Sequence, residues 1–403
     1  MLAELKARMA GRMLGREEPA FYFKLLGFTM ASSSIVFFEP SPFDLLIILT
    51  IAIGFMSNII VIPKNLILPI LLVGLFLDTN FIAMAGVTDN EGSSIQFVLI
   101  TVYLTVLWLG IAGLVVRFQE KALKVIFNGY VAAALITTIP GIFAYFGLLP
   151  NSDSLLMFGR VMGFFKDPNV FGPFLVPAAL FALYGFEKNS GRAKQLWLIV
   201  FSVITIGILL SFSRAAWGNY LIAIFLYLML PSSTRKQRWS TWSILLALLL
   251  PALFWFINQS SVMDLLSNRL SYQNYDNDRF GTQIMALKEV MQRPIGIGPG
   301  QSEYFFNYSI HSLYVRILAE YGVAGMTTFL LFIALTTVKS IKNIFNKELR
   351  YRSYNIIVTA SLLGVLFNSF FVDTLHWRHF WLLLALPWIT EGGLKHENRT
   401  DHY

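Results

Sequence analysis

The sequence predicts an all-α integral membrane protein with about twelve transmembrane helices. The chain has 403 residues, 56% of them hydrophobic and only 13% charged, whereas about a quarter of the residues of a soluble domain are charged. The mean hydropathy is +0.62. This composition excludes a soluble enzyme, a disordered chain and a nucleic-acid-binding protein. The net charge of +8 does not reverse that conclusion, because Lys and Arg in a membrane protein first report topology.

Apolar segments long enough to cross a bilayer recur along the whole chain, which we interpret as a single polytopic domain over residues 1–403. A helix needs roughly 20 apolar residues to cross about 30 Å of hydrocarbon. One connection is much longer than the others, a loop over residues 259–311 in which residues 279–292 are predicted to form a helix. The predicted spans lie near 21–38, 43–62, 65–85, 95–116, 122–149, 168–186, 195–212, 214–230, 242–258, 312–337, 354–372 and 377–393.

The distribution of charge predicts the orientation of these spans. If the N-terminus is cytoplasmic, most of the 31 Lys and Arg residues fall in the inner connections, while acidic residues are more frequent in the outer ones. Cytoplasmic loops of membrane proteins carry such an excess of Lys and Arg. We therefore predict that both termini are cytoplasmic and that the long loop is extracytoplasmic.

Four basic or titratable residues are predicted near the outer boundary, where the positive-inside rule disfavours cations. They are Arg160, Arg214, Arg279 and His311. Arginine suits phosphate because its planar guanidinium donates two parallel hydrogen bonds and keeps its charge at any relevant pH. Because all four are predicted at the same outer boundary of the membrane, they suggest an anion-binding site there. The alternative is that each Arg pairs with a nearby carboxylate or reaches lipid headgroups.

Further candidates for substrate binding flank the long loop. Gly298 and Gly300 belong to a turn whose exposed amides can approach an anion. Arg316 and Glu320 are four residues apart on one helix face and are able to pair, so a structural ion pair is an alternative to ligand contact. Cys is absent from the chain, which excludes a thiolate metal site.

A last group of polar residues lies at the final outer turn. It comprises Asp373, His376, Arg378 and His379. Their spacing matches no strong ligand pattern for a metal. We therefore predict neither a metal site nor a cofactor.

Three stretches of this chain resemble the O-antigen ligase and O-antigen polymerase (Wzy-type) superfamily of bacterial membrane glycosyltransferases. The likeness is concentrated in residues 155–330 and rests on the order and spacing of the stretches. They are Gly159-Arg160 through Gly163-Phe164 to Asp167-Pro168-Asn169; Ser211-Phe212-Ser213-Arg214-Ala215-Ala216-Trp217; and Pro294-Ile295-Gly296-Ile297-Gly298-Pro299-Gly300 through His311-Ser312-Leu313-Tyr314 to Ala319-Glu320-Tyr321-Gly322.

The resemblance implies a GT-C-like membrane fold and an extracytoplasmic site on the bacterial cytoplasmic membrane. It implies an undecaprenyl-pyrophosphate-linked glycan donor and metal-independent transfer to a sugar hydroxyl. We expect Arg214 and Arg279 to bind the pyrophosphate, Arg160 to position the donor, and His311 to deprotonate the acceptor in an inverting displacement. The usual His-Asn pair of the family reads His311-Ser312 here, so Ser312 takes the second position without its amide.

The sequence is compatible with several functions. A polymerase joins a growing glycan to another lipid-linked repeat unit, whereas a ligase passes the finished chain to lipid A-core or another acceptor. The stretch around Arg160 slightly favours the polymerase. A twelve-span secondary transporter and a non-catalytic scaffold for envelope assembly are the alternatives from other classes, although no internal repeat between the halves supports a transporter.

Overall fold

The structure of this chain, a computed structural model, is a bundle of helices with one short β-hairpin. It describes residues 19–230, 274–306, 308–346 and 351–389, together with positions 243, 258, 263 and 267; between 274 and 280 only the side chains of Asn277 and Phe280 are described. The helices are α1 (Ala20–Ala31), α2 (Pro42–Met56), α3 (Ile67–Ala83), α4 (Glu91–Tyr145), α5 (Pro168–Lys188), α6 (Gly191–Leu210), α7 (Arg214–Met229), α8 (Asn274–Gln292), α9 (Ser302–Phe305), α10 (Leu313–Phe345), α11 (Arg352–Asn368) and α12 (Arg378–Ala385). The strands are β1 (Leu156–Met157) and β2 (Arg160–Val161).

Five helical segments in the described part of the chain are long and apolar enough to cross a membrane. They are Lys64–Gly86, which contains α3, and the helices α4, α5, α6 and α10; the shorter helices α1 and α2 are also apolar. The all-helical membrane fold is therefore confirmed. The number of twelve spans and the GT-C-like arrangement stay predictions, and the predicted span 242–258 lies outside the described residues, apart from two isolated positions.

The long helix α4 is two antiparallel spans joined by a sharp turn. Its backbone leaves the helical region at Gln119, where φ is +47°. Leu107 and Tyr130 lie 23 positions apart, which would separate them by roughly 34 Å in a straight helix, yet both line the same cavity. The two predicted spans 95–116 and 122–149 therefore correspond to the two halves of α4.

Helices α1 and α2 are shorter than the predicted spans 21–38 and 43–62, and local hydrogen bonds explain where they end or begin. The hydroxyls of Ser32 and Ser33 donate to the carbonyls of Thr29 and Met30, which satisfies acceptors that a helix end leaves open. Ser41 caps α2 by accepting from the Asp44 amide, while the Asp44 carboxylate accepts from the Ser41 amide.

The connections predicted to be outer are joined to one another by hydrogen bonds at one end of the bundle. The amide of Val36 donates to the carbonyl of Phe164 at 3.0 Å. The Gln301 side chain donates to the Asp89 carbonyl at 2.6 Å. The first bond joins the connection α1–α2 to the connection α4–α5, and the second joins α3–α4 to α8–α10; we call these connections the outer layer.

Helix α10 breaks at Gly322, and the loop that precedes α9 fills the break. Gly322 has a φ of +67° and a ψ of −169°, a region that is essentially restricted to glycine. The break frees backbone groups, and the loop uses them: Ile297 and Gly298 donate to the carbonyls of Ala319 and Glu320, while Val323 donates to the Pro294 carbonyl. The loop is thereby fixed to the middle of α10.

We predict that Gly322→Ala lowers the melting temperature of the purified protein. A Cβ at this position would meet the Pro294 carbonyl oxygen, and the backbone conformation alone costs a non-glycine residue about 1–3 kcal/mol. We expect a fall of at least about 3 °C, measured by tryptophan fluorescence in detergent. Gly74→Ala is the matched control, because a Cβ there has no atom within 4 Å. Equal melting temperatures for the two variants would contradict the prediction.

Candidate functional site

Arg160 ties the β-hairpin to the turn that precedes α7. The hairpin places Arg160 opposite Met157 after a two-residue turn, Phe158-Gly159, in which both residues have positive φ. The side chain is buried, and its Nε donates to the Ser211 carbonyl at 2.9 Å while an Nη donates to the Asn169 Oδ1 at 2.9 Å. The structure thus brings Arg160 to the turn that carries Arg214, with an amide and a carbonyl as partners.

Arg214 is the first residue of α7 and has an exposed side chain. The turn before it is tight, with Phe212 at a φ of +44°, and Ser213 caps the helix by accepting from the Ala216 amide. The first turn of a helix presents backbone donors and the positive end of the helix dipole. Arg214 therefore lies at the end of α7 where the backbone donors of the helix are concentrated.

The start of α7 and the start of α10 lie against the same end of α11. Helices α7 and α11 run antiparallel, with Gly218 against the Phe367 ring. At the same end of α11, two residues after Phe367, the Ser369 carbonyl accepts a hydrogen bond from the Leu313 amide at 3.0 Å. Arg214 lies one turn before Gly218, so the structure brings it and the start of α10 to one level of the bundle.

His311 and Ser312 form the approach to α10. His311 is half-buried, with its ring centroid 5.6 Å from that of Tyr308. Ser312 is buried and is the N-cap residue of the helix, but its hydroxyl makes no capping bond. The imidazole is therefore held against the Tyr308 ring, at the end of the bundle where α7 begins with Arg214.

Arg316 and Glu320 form a buried ion pair, as their spacing predicts. The Arg316 Nε lies 3.1 Å from the Glu320 Oε1, and an Arg316 Nη lies 2.8 Å from the Asp373 carboxylate. The guanidinium also stacks over the Phe97 ring, 4.8 Å from its centroid. Arg316 thus connects α10 to α4 and to the connection between α11 and α12. Its buried positive charge is balanced by the carboxylates of Glu320 and Asp373.

The amides of Gly298 and Gly300 contact α10 instead of facing an anion, contrary to the expectation of exposed amides. Gly298 donates to the Glu320 carbonyl, and Gly300 donates to the Glu320 carboxylate at 2.9 Å. The Ser302 hydroxyl donates to the same carboxylate at 2.6 Å. The physical reason is that buried Glu320 requires donors, and the turn supplies them.

Arg279 lies in α8, which packs against α10. Its side chain is outside the described residues, so only its helix is placed. The helix predicted over 279–292 is found and begins earlier, at Asn274, and it ends before Pro294.

The polar residues of the last outer turn are separate partners of other elements. His376 Nε2 lies 3.1 Å from the Thr101 hydroxyl, and burial lowers the pKa of His376 to about 4, so its ring is neutral at physiological pH. Asp373 binds Arg316. Within the described ranges, no group of three or more His, Cys, Asp or Glu is arranged to hold a metal.

One buried cluster escaped the sequence analysis. Arg378 binds Asp44 with both ends of its guanidinium at 2.6 Å, and the Tyr103 hydroxyl donates to Asp44 at 2.7 Å. The signal that could have found it is Asp44 itself, an acidic residue inside an apolar segment. The break at Gly322 was also missed, because a helical hydropathy pattern continues through it.

The described fold is that of a polytopic membrane protein with a polar layer at one end of the bundle. Residues 198–330, about a third of the chain, match a family model described as O-Antigen ligase. This match confirms, over that part of the chain, the resemblance to the O-antigen ligase and polymerase superfamily that the sequence shows. The match indicates a glycan-transfer role in O-antigen processing. It includes Arg214, Arg279 and His311, whereas Arg160 precedes it. A comparison with curated proteins gives no match.

We predict that Arg160→Lys weakens both the fold and glycan transfer. Lysine keeps the charge but has no planar fork to reach the Ser211 carbonyl and the Asn169 amide together, and losing a hydrogen bond to a charged group costs about 1.5–3 kcal/mol. The melting temperature and the transfer rate should both fall. Arg192→Lys is the control, at an exposed Arg of α6. An unchanged melting temperature and transfer rate for Arg160→Lys would contradict the role of Arg160 in holding the Ser211 carbonyl and the Asn169 side chain together.

Proposed function

We propose that this protein transfers a glycan from an undecaprenyl-pyrophosphate-linked donor to a sugar hydroxyl at the extracytoplasmic face of the bacterial cytoplasmic membrane. The observation that carries the proposal is the convergence of two family motifs: the start of α7, which carries Arg214, and the start of α10, which follows His311, contact one end of α11. The match of residues 198–330 to the O-antigen ligase family supports it.

The arrangement suits a displacement at an anomeric carbon. The acceptor hydroxyl forms a bond to that carbon as the bond to the pyrophosphate oxygen breaks, so negative charge grows on the leaving group. Arg214 is placed to compensate this charge together with the first-turn amides of α7, and we assign Arg279 to the same role. One preorganised donor of this kind lowers the barrier by about 3–4 kcal/mol.

His311 is proposed as the base that accepts the proton of the attacking hydroxyl. A neutral imidazole has an ordinary pKa near 6.5 and can accept a proton at neutral pH. Attack opposite the leaving group inverts the anomeric centre. Because guanidinium groups supply fixed positive charge, the step as proposed needs no divalent ion, and transfer should continue in EDTA.

Arg160, Ser312, Arg316 and Glu320 support the site in this proposal. Arg160 holds the turn before Arg214 through Ser211, and Ser312 opens the helix that follows His311. Arg316 and Glu320 fix the glycine turn to α10, so their contribution to substrate binding is mainly through positioning.

A transporter function is not favoured by the break in α10. Transporters use broken helices to expose backbone groups to a substrate, but the groups freed around Gly322 bind Pro294, Ile297 and Gly298 of the same chain. Product formation by purified protein in lipid vesicles would separate the enzyme from a transporter or a scaffold.

We predict that His311→Ala lowers the transfer rate by about 10²–10⁴-fold, the range for loss of a general base. The assay uses full-length protein with purified lipid-linked donor, and the product is measured by gel or mass spectrometry. His396→Ala is the matched control, because the sequence places His396 on the cytoplasmic side. Near-normal transfer by His311→Ala would remove the base assignment.

A second prediction concerns the acceptor. With lipid-linked repeat units alone, a polymerase produces a ladder of glycan sizes, whereas a ligase forms product only after lipid A-core is added. We expect the ladder without core. Product that depends strictly on core would identify a ligase, and no product in either mixture would contradict the glycosyltransferase proposal.

A further inference from the structure

A mostly apolar cavity of about 210 Å³ lies under the outer connections and borders the first family stretch through Phe165 and Lys166. Its wall comes from α1, α2, both halves of α4, α5 and α12, with Ile47, Ile111 and Phe174 among the buried side chains. Engineered apolar cavities of about 150 Å³ bind benzene. This cavity therefore has room for several carbons of a hydrocarbon chain.

Lys166 and Glu39 are the most exposed charged residues of the cavity rim. Lys166 Nζ lies 3.2 Å from the Glu39 carboxylate, and the two side chains are 53% and 41% exposed. Exposed ion pairs contribute little stability, so the two charges of a ligand can replace the pairing of Lys166 with Glu39 at a small cost in free energy. Arg378, the other cation of the rim, lies 4.0 Å from the Glu39 carboxylate, but its shorter bonds, at 2.6 Å, go to Asp44.

Exposed aromatic side chains place the rim at the membrane interface. Phe37 and Phe38 lie between two lining residues, Val36 and Glu39, and are 53% and 47% exposed. Exposed apolar rings are stable in hydrocarbon, whereas the exposed charges of Lys166 and Glu39 beside them require water or headgroups, and the two together fit the boundary between these layers. The opening is therefore at the depth of lipid headgroups.

A buried hydrogen-bonding atom inside the cavity has no partner. His379 lines the cavity and is 5% exposed, and its Nε2 makes no hydrogen bond. Its ring packs between Phe174 and Trp377. A buried polar atom without a partner costs free energy, and turning the ring towards a ligand oxygen near the apolar chain removes that cost.

We propose that this cavity binds one zwitterionic phospholipid of the ethanolamine class. The headgroup phosphate meets Lys166 and its ammonium meets Glu39, the ester region reaches His379, and the first carbons of one acyl chain fill the cavity. Opposite charges at the rim match a zwitterion, whereas an anionic headgroup would be repelled by Glu39.

The test measures lipid retention by native mass spectrometry of the full-length protein. The protein is incubated in detergent with equal amounts of phosphatidylethanolamine, phosphatidylglycerol and phosphatidylcholine, and we expect phosphatidylethanolamine to be retained preferentially. Lys166→Glu should reduce this binding about fivefold, and the double variant Glu39→Lys with Lys166→Glu should restore it.

Filling the cavity provides an independent arm. Val170 lines the cavity, so Val170→Phe should also reduce retention about fivefold, whereas Leu71→Phe, at an exposed position of α3, should not. The proposal would be overturned if Val170→Phe retained the lipid stoichiometrically or if the double variant failed to restore binding. It would also be overturned if phosphatidylglycerol bound equally or more strongly, or if undecaprenyl phosphate displaced the lipid. Glycan transfer is measured separately. If the unaltered protein transfers glycan but retains no phosphatidylethanolamine, this proposal fails while the proposed function stands.

Discussion

The buried charge of Glu320 is the constraint on which the outer layer of the structure depends. A carboxylate removed from water must be surrounded by donors and a cation, and this one receives Arg316, the Gly300 amide and the Ser302 hydroxyl. Because these donors come from two segments of the chain, satisfying one side chain fixes the glycine turn to α10. The break at Gly322 completes the arrangement by opening the backbone for the same turn.

Arg316 extends this constraint to the rest of the layer. Its guanidinium bridges to Asp373, between α11 and α12, and stacks on Phe97 of α4. The end of α11 in turn holds the starts of α7 and α10. Arg214 and His311 are thus presented by helix ends whose relative placement is set by buried contacts. Such preorganisation is what a site that compensates growing charge requires.

Burial also separates the arginines of this protein by role. Arg160 and Arg316 are buried and bonded to fixed protein partners, so they shape the layer, whereas Arg214 is exposed at the start of a helix. The arginines predicted as outer cations therefore divide into buried ones that hold the outer layer together and an exposed one, Arg214, to which the proposed function assigns contact with the substrate.

The sequence by itself determined the membrane class, the positions of most apolar helices, the Arg316–Glu320 pair and the family, because hydropathy, helical spacing and motif order are local properties. Only the tertiary structure decided what the glycine amides bind, which partners hold Arg160, and that Asp44 pairs with Arg378. These contacts join residues far apart in the chain, and a buried polar group accepts whichever partner packing brings to it. That choice is a property of the folded bundle, which no single segment encodes.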